Sequence, residues 1–198
     1  TTRALAPYFS EYALIQYRIR VEVEYFIALT TLLPELADFP ETAIPALRKL
    51  YTGFNEDAAL KVKEVEKITN HDVKAIEYFV KEYLDSQGLA DYREFIHFGL
   101  TSQDINNTAV PLLFKEFVNR EYYPLLEQLL QLLGSLSTKW DDVPMLARTH
   151  GQPASPTRLG KEIRVFSERI EKQIALLDTV AHSAKFGGAT GNFNAHHV

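Results

Sequence analysis

The sequence predicts an all-α chain, and three observations carry that prediction. Apolar residues recur every three or four positions over most of the 198 residues. No segment offers a convincing run of alternating apolar and polar residues, the signature of a half-buried strand. The interruptions carry the marks of helix ends: prolines, glycines, and Ser, Thr, Asn or Asp just ahead of an apolar stripe.

The first helix is expected from Ser10 to Leu33, with Ser10 as N-cap and Leu14, Tyr17, Val21, Tyr25, Leu29 and Leu32 on one stripe. Pro34, Pro40 and Pro45 then punctuate a short helix and its loops. Asn55 is the next expected cap, with Glu56 and Asp57 in the first turn, where acids suit the helix dipole. The segment Thr69-Asn70-His71-Asp72 interrupts this helix, and Val73, Ile76, Val80 and Tyr83 resume the period as far as a C-terminal Gly88. A turn or two at 91–95 and a loop from His97 to Ser102 follow.

Residues 103–139 read as helical with a weak point near Tyr123-Pro124. Leu125, Leu129, Leu132 and Leu136 form one stripe and Leu126, Leu130 and Leu133 a second beside it, too wide an apolar face for a single partner. Residues 140–156, with Pro144, Pro153 and Pro156, read as a connector. Thr157 is the expected cap of a helix running to about Ala184, a rod roughly 40 Å long with a near-heptad apolar stripe. The expected organisation is a helical N-terminal domain over 1–105, then the first part of a helical bundle over 106–198.

Composition bounds the function. Apolar residues at 46% and charged residues at 24% fit a globular chain and exclude disorder over most of it. A net charge of -5 leaves no basic excess to draw nucleic acid or an anionic membrane. The absence of cysteine excludes disulfides, thiolate metal sites and a cysteine nucleophile, and fits a reducing compartment. No apolar run approaches the ~18 residues of a membrane span, and the first residues, Thr-Thr-Arg-Ala-Leu-Ala-Pro, show neither an initiator Met nor a signal peptide. No metal site is expected, since the adjacent His196-His197 cannot place both rings on one helix face.

Function on a helical scaffold belongs in chemically unusual connectors. Asn70-His71-Asp72 reads either as a simple helix start or as a site. Thr101-Ser102-Gln103-Asp104 reads either as a cap with a polar first turn or as a carboxylate or phosphate site, since hydroxyls there join free backbone N–H groups. Arg148-Thr149-His150-Gly151-Gln152-Pro153 gathers Arg, Thr, His and Gln where an ordinary turn needs none of them. Gly187-Gly188-Ala189-Thr190-Gly191-Asn192 reads as a glycine turn ending a helix, not a phosphate loop, because no strand precedes it and no Gly-Lys-Ser/Thr follows.

These loops, in this order, resemble the fumarase/aspartase superfamily, and most closely its adenylosuccinate lyases of bacterial type. The resemblance runs through Phe9-Ser10-Glu11-Tyr12, Asn70-His71-Asp72-Val73-Lys74-Ala75-Ile76-Glu77-Tyr78-Phe79, Phe95-Ile96-His97-Phe98, Thr101-Ser102-Gln103-Asp104-Ile105-Asn106-Asn107, Arg148-Thr149-His150-Gly151-Gln152 and Gly188-Ala189-Thr190-Gly191-Asn192-Phe193-Asn194. It implies β-elimination of fumarate from adenylosuccinate, leaving AMP, and from the related succinyl-carboxamide ribotide. It implies no cofactor, a cytoplasmic homotetramer and active sites assembled from three subunits. By position it makes His150 the general acid and His71 a second active-site histidine that contacts substrate phosphate or supports proton transfer; Asp72 is adjacent, and carboxylates commonly orient an imidazole. Thr101 and Ser102 match the fumaryl-carboxylate binders, and Asn70, Asp72, Gln103, Thr149 and Gln152 are further substrate-binding positions. The family's Ser-Ser-X-Met-Pro-X-Lys-X-Asn-Pro base loop and its Gly-Arg-Tyr phosphate contact do not occur in the sequence. The resemblance therefore implies an N-terminal piece, inactive alone. An argininosuccinate lyase-like enzyme and a non-catalytic helical module are the alternatives; the Asn-His-Asp-Val-Lys-Ala-Ile-Glu-Tyr-Phe stretch disfavours the first, and the joint presence of Thr101, Ser102 and His150 the second.

Overall fold

The computed structural model describes residues 2–197. Its α-helices are α1 (Ala6–Phe9), α2 (Glu11–Leu32), α3 (Ile44–Thr52), α4 (Glu56–Thr69), α5 (Asp72–Ser86), α6 (Ser102–Phe117), α7 (Tyr123–Lys139) and α8 (Leu159–Leu177). Between α7 and α8 stand two short strands, β1 (Pro144–Thr149) and β2 (Gln152–Arg158). Helix accounts for 71% of the chain, so the all-α reading holds. Among the described residues no helix is long and apolar enough to cross a membrane.

Side chains start these helices where the sequence places caps. Ser10 Oγ accepts the Ala13 N–H at 3.1 Å, and Asn55 Oδ1 accepts the Ala58 N–H at 2.9 Å. Helix α5 closes at Gly88, whose φ of 71° is the left-handed conformation glycine adopts without a steric cost. A π-helical turn, Val118–Tyr122, separates α6 from α7 at the expected weak point, and Pro124 lies in the first turn of α7, where its missing N–H costs nothing.

The chain packs as two compact units: Thr1–Glu116 with Ser183–Val198, and Phe117–His182. In the first unit α2 is the central element. Ile19, Val23 and Phe26 are fully buried against Leu47 of α3, Val62 of α4 and Ile76, Val80 and Leu84 of α5. Burial extends around most of α2, which explains why the stripe read from spacing captured only part of its core; Leu32, on that stripe, is exposed. Two charges, Arg18 and Glu22, are buried on this helix one turn apart. The expected domain division at 105/106 falls inside α6, and the chain passes between compact units at 116/117.

In the second unit α7 and α8 run antiparallel. Their near ends meet at Gly160, where an added Cβ would lie 2.2 Å from the Ser137 carbonyl oxygen, and Ser137 Oγ donates to the Gly160 carbonyl at 2.8 Å. At the far ends the Tyr123 hydroxyl donates to Asp178. None of the α7 residues is buried, and Leu125, Leu129, Leu132, Phe166 and Leu176 are exposed.

Three expectations change here. The 140–156 connector is largely an antiparallel hairpin: Met145 pairs with Thr157, Leu146 with Pro156, Arg148 with Pro153 and Thr149 with Gln152, with a bulge between Leu146 and Arg148. Proline donates no ladder hydrogen bond, and a two-stranded ribbon tolerates it because both strands are edges. Thr157 is a strand residue rather than a cap; α8 begins after Arg158, whose side chain makes no capping bond. Helix α8 ends at Leu177, not near Ala184.

Candidate active site

His71 and Ser102 stand at the starts of two helices, α5 and α6, that converge in the first unit. Asn70 ends α4 in the left-handed conformation, φ 49°, its N–H bonded to the Glu66 carbonyl at 2.8 Å. That reversal delivers His71 to the N-cap of α5, where Nδ1 accepts the Lys74 N–H at 3.2 Å. An imidazole nitrogen that accepts carries no proton, so the ring proton of neutral His71 sits on Nε2. Nε2 lies 3.3 Å from Ser102 Oγ, so His71 donates and the serine oxygen accepts.

Asp72 stands beside His71 without a hydrogen bond to it. Its Oδ1 lies 3.6 Å from Nδ1 and accepts the Val73 N–H at 2.9 Å, while Oδ2 takes the Arg18 guanidinium at 2.7 Å. Burial would raise the Asp72 pKa, but the charge and hydrogen bond of Arg18, the Val73 amide and nearby His71 together outweigh it and hold the carboxyl below its ordinary value. Arg18, itself buried, also donates from Nε to Asn106 Oδ1 at 2.8 Å, so one guanidinium braces the start of α5 against α6. Arg18, Asn70, His71, Asp72 and Glu11 line a cleft of about 380 Å³.

The start of α6 is held from beneath by Asp104, which is 2% exposed. Its Oδ2 accepts both the N–H and the hydroxyl of Thr101, each at 2.9 Å. Its Oδ1 accepts the amides of Gly187 and Gly188 at 2.8 and 2.9 Å. Burial works to raise the pKa of this carboxyl; the amides of Gly187, Gly188 and Thr101 and the Thr101 hydroxyl overcome it and hold the pKa at about 2. His196 Nε2 lies 3.3 Å from Oδ2, and its ring meets Phe186 edge-on. Gln103, by contrast, is exposed and donates to Asn107 Oδ1 at 3.1 Å.

In the second unit His150 and Gly151 form the two-residue tip of the hairpin between Thr149 and Gln152. Their φ values of 49° and 76° are the pair that a type I′ turn requires. Thr149, His150 and Gln152 are all exposed. Asn70, His71, Asp72, Thr101, Ser102 and Gln103 thus belong to one unit, and Thr149, His150 and Gln152 to the other.

Residue types alone did not single out Arg18, Glu22, His97 or Asn106, and named Asp104 only as part of a polar first turn. Two signals were available. Arg18 and Glu22 are charged at i and i+4 of an otherwise apolar helix face. Thr101 and Asp104 have the Ser/Thr-x-x-acid spacing of a capping box.

The family model described as Lyase matches residues 1–198. The adenylosuccinate lyase of Dictyostelium discoideum is 53% identical over 203 residues, covering 99% of this chain and 44% of that protein. Those of Legionella pneumophila (strain Corby) and Escherichia coli (strain K12) are 44% and 40% identical, each with 98% of this chain and 43% of the relative covered. The chain therefore spans less than half the length of these relatives. Among solved structures, a fumarate lyase from Mesorhizobium sp. BNC1 superposes with a TM-score of 0.78 at 21% identity, over 98% of this chain and 44% of that one. A β-carboxy-cis,cis-muconate cycloisomerase from Acinetobacter calcoaceticus sp. ADP1 does so with 0.74 at 22%, over 98% and 45%; both likenesses show the fold. Matched by that family model over its whole length, the chain belongs to the lyase family that its Thr101-Ser102 and His150 loops resemble.

Proposed function

We propose that the chain supplies part of the active site of an adenylosuccinate lyase, cleaving adenylosuccinate to AMP and fumarate by β-elimination, with the succinyl-carboxamide ribotide as second substrate. The observation that carries the reading is the His71–Ser102 pair at the converging helix starts, where the α6 dipole and hydroxyl donors favour a carboxylate. Proton loss beside a carboxylate builds a doubly charged aci-carboxylate, and donors already aimed at it lower the barrier. The Thr101-Ser102 turn at the start of α6 is the proposed carboxylate-binding element, with Asn70, Asp72, Gln103, Thr149 and Gln152 at further substrate contacts. His150 is the proposed acid for the leaving nitrogen, since an imidazole titrates near neutral pH. His71 is the proposed second histidine, supporting proton transfer or the substrate phosphate. The base is proposed to lie outside these residues, in a cytoplasmic homotetramer.

The test is fumarate release, followed by absorbance, in protein of the relatives' length. His150→Asn is the variant of choice, because Asn adopts positive φ more readily than most residues. Turnover is expected to fall roughly 10²-fold or more, the usual worth of a positioned proton donor. Residues 1–198 alone are expected to show background rates. Undiminished turnover in His150→Asn would exclude the proton-donor role.

A further inference from the structure

We propose that Asp104 is a positioning residue of this site, and that it divides the labour of the Thr101-Ser102 pair so that Ser102 alone supplies the side-chain hydrogen bond to a substrate carboxylate. The inference rests on the lyase reading above and goes beyond it by separating two residues that reading treats alike.

Thr101 owns two donors, its N–H and its hydroxyl, and both end on Asp104 Oδ2. A buried carboxylate that accepts from four N–H and O–H groups has no proton to offer, so the Thr101 hydroxyl hydrogen points at Asp104. What Thr101 presents elsewhere is lone pairs, which repel an anion. Asp104 Oδ1 meanwhile holds the Gly187 and Gly188 amides, so the same carboxylate fixes the glycine turn and the first residue of the α6 cap as one piece.

Ser102 is wired in the opposite sense. The Lys74 N–H occupies His71 Nδ1, so Nε2 carries the proton and donates to Ser102 Oγ. An oxygen that accepts from His71 keeps its own hydrogen free, and that hydrogen is available to an incoming carboxylate. The direction runs from Lys74 N–H through His71 and Ser102 outward. Thr101 and Ser102 are adjacent hydroxyls, one turned inward to Asp104 and one left to face a ligand.

The experiment measures equilibrium binding of fumarate and, separately, of AMP to protein of the relatives' length carrying single substitutions. Ser102→Ala is expected to weaken fumarate at least tenfold. Thr101→Val, which keeps the N–H bond to Asp104 and the side-chain shape, is expected to change it less than threefold. Asp104→Asn sets an amide NH₂ against N–H or O–H donors and is expected to weaken fumarate at least tenfold, with AMP affinity within twofold of wild type. A merely structural Asp104 would instead reduce the fraction of protein that binds either ligand and leave both dissociation constants alone, an outcome that overturns the positioning role. Equal losses of fumarate affinity in Thr101→Val and Ser102→Ala overturn the division of labour, and this comparison decides the matter if Asp104→Asn does not fold. A wild-type protein that neither binds fumarate nor cleaves adenylosuccinate overturns the lyase reading and this inference together. A wild-type protein that does both, with an Asp104→Asn variant of wild-type fumarate affinity, overturns this inference only.

Discussion

Nε2 of His71 lies 3.3 Å from Oγ of Ser102 across 31 residues of chain, and the opposite nitrogen of the same ring caps a helix. One imidazole thus has a structural face and a site face. The two are separable by mutation. Asn can offer its Oδ1 to the Lys74 N–H and has nothing at the Nε2 position. In urea unfolding, His71→Asn is expected to stay within about 0.5 kcal/mol of wild type, while His71→Ala loses about 1 kcal/mol. Turnover in protein of the relatives' length is expected to fall equally in both. Equal stability of the two variants would remove the capping role.

A second pair predicts a pH dependence. Glu22 Oε1 lies 2.5 Å from His97 Nδ1, Glu22 is fully buried, and its Oε2 has no hydrogen-bond partner. Burial pushes the Glu22 pKa up, with His97 opposing. Burial would lower the His97 pKa, but the Glu22 carboxylate prevails and raises it above 6.5. Both groups hold protons more tightly folded than unfolded. The stability they confer is fully present below the unfolded values and is lost as pH rises through the folded ones. The urea midpoint is therefore expected to fall as pH is raised, the Glu22 contribution being lost from above 4.5 and that of His97 from above 6.5, and Glu22→Gln is expected to flatten that fall. Glu22→Ala, which strips His97 of its buried partner, is expected to cost about 3 kcal/mol or more.

Gly160 predicts a steric limit. An added Cβ would meet the Ser137 carbonyl oxygen at 2.2 Å and the Asp141 Cα at 2.7 Å, both backbone atoms with no rotamer to yield. Gly160→Ala is expected to cost about 2 kcal/mol or more, with the Ser137–Gly160 hydrogen bond lost, and calorimetry of the thermal transition checks it. Gly134→Ala, on the same pair of helices with open space around it, serves as the contrast and is expected to be neutral or slightly stabilising.

The leucine face of α7 predicts association. Leu125, 64% exposed, and Leu132, 55% exposed, lie two turns apart on a helix that buries nothing. The 198-residue chain is expected to bind an apolar dye and to sediment as more than a monomer at micromolar concentration. Leu125→Glu with Leu132→Glu is expected to reduce both signals, and a monodisperse monomer that binds no dye would contradict the reading.

Helix ends with local signals were legible: the Ser10 and Asn55 side chains and the Gly88 backbone act within a few residues of themselves. The hairpin was hidden by its prolines at 144, 153 and 156, which argue against a strand unless both strands are edges. His71 and Ser102 were legible as candidates, but their contact was not, since no spacing rule links positions 31 apart. The ion pair of Asp72 with Arg18 was not legible, because it joins positions 54 apart, and the ring nitrogen of His71 nearest Asp72 is already in use. Asp104 was visible as a capping acid, and its bonds to Gly187 and Gly188 depend on tertiary folding alone.

Those last bonds set a schedule for synthesis. Gly187 follows Asp104 by 83 residues. At about 5–20 residues per second, translation leaves Asp104 without its glycine amides for roughly 4–17 seconds after it is made. During that interval a nascent chain holds a carboxylate meant to be buried with half its final donors, while Phe117–His182 emerge and fold. The first unit is thus completed last, by the segment that returns to it. A ribosome stalled before residue 187 would display the start of α6 unfinished, open to chaperones and proteases that pass over the completed protein.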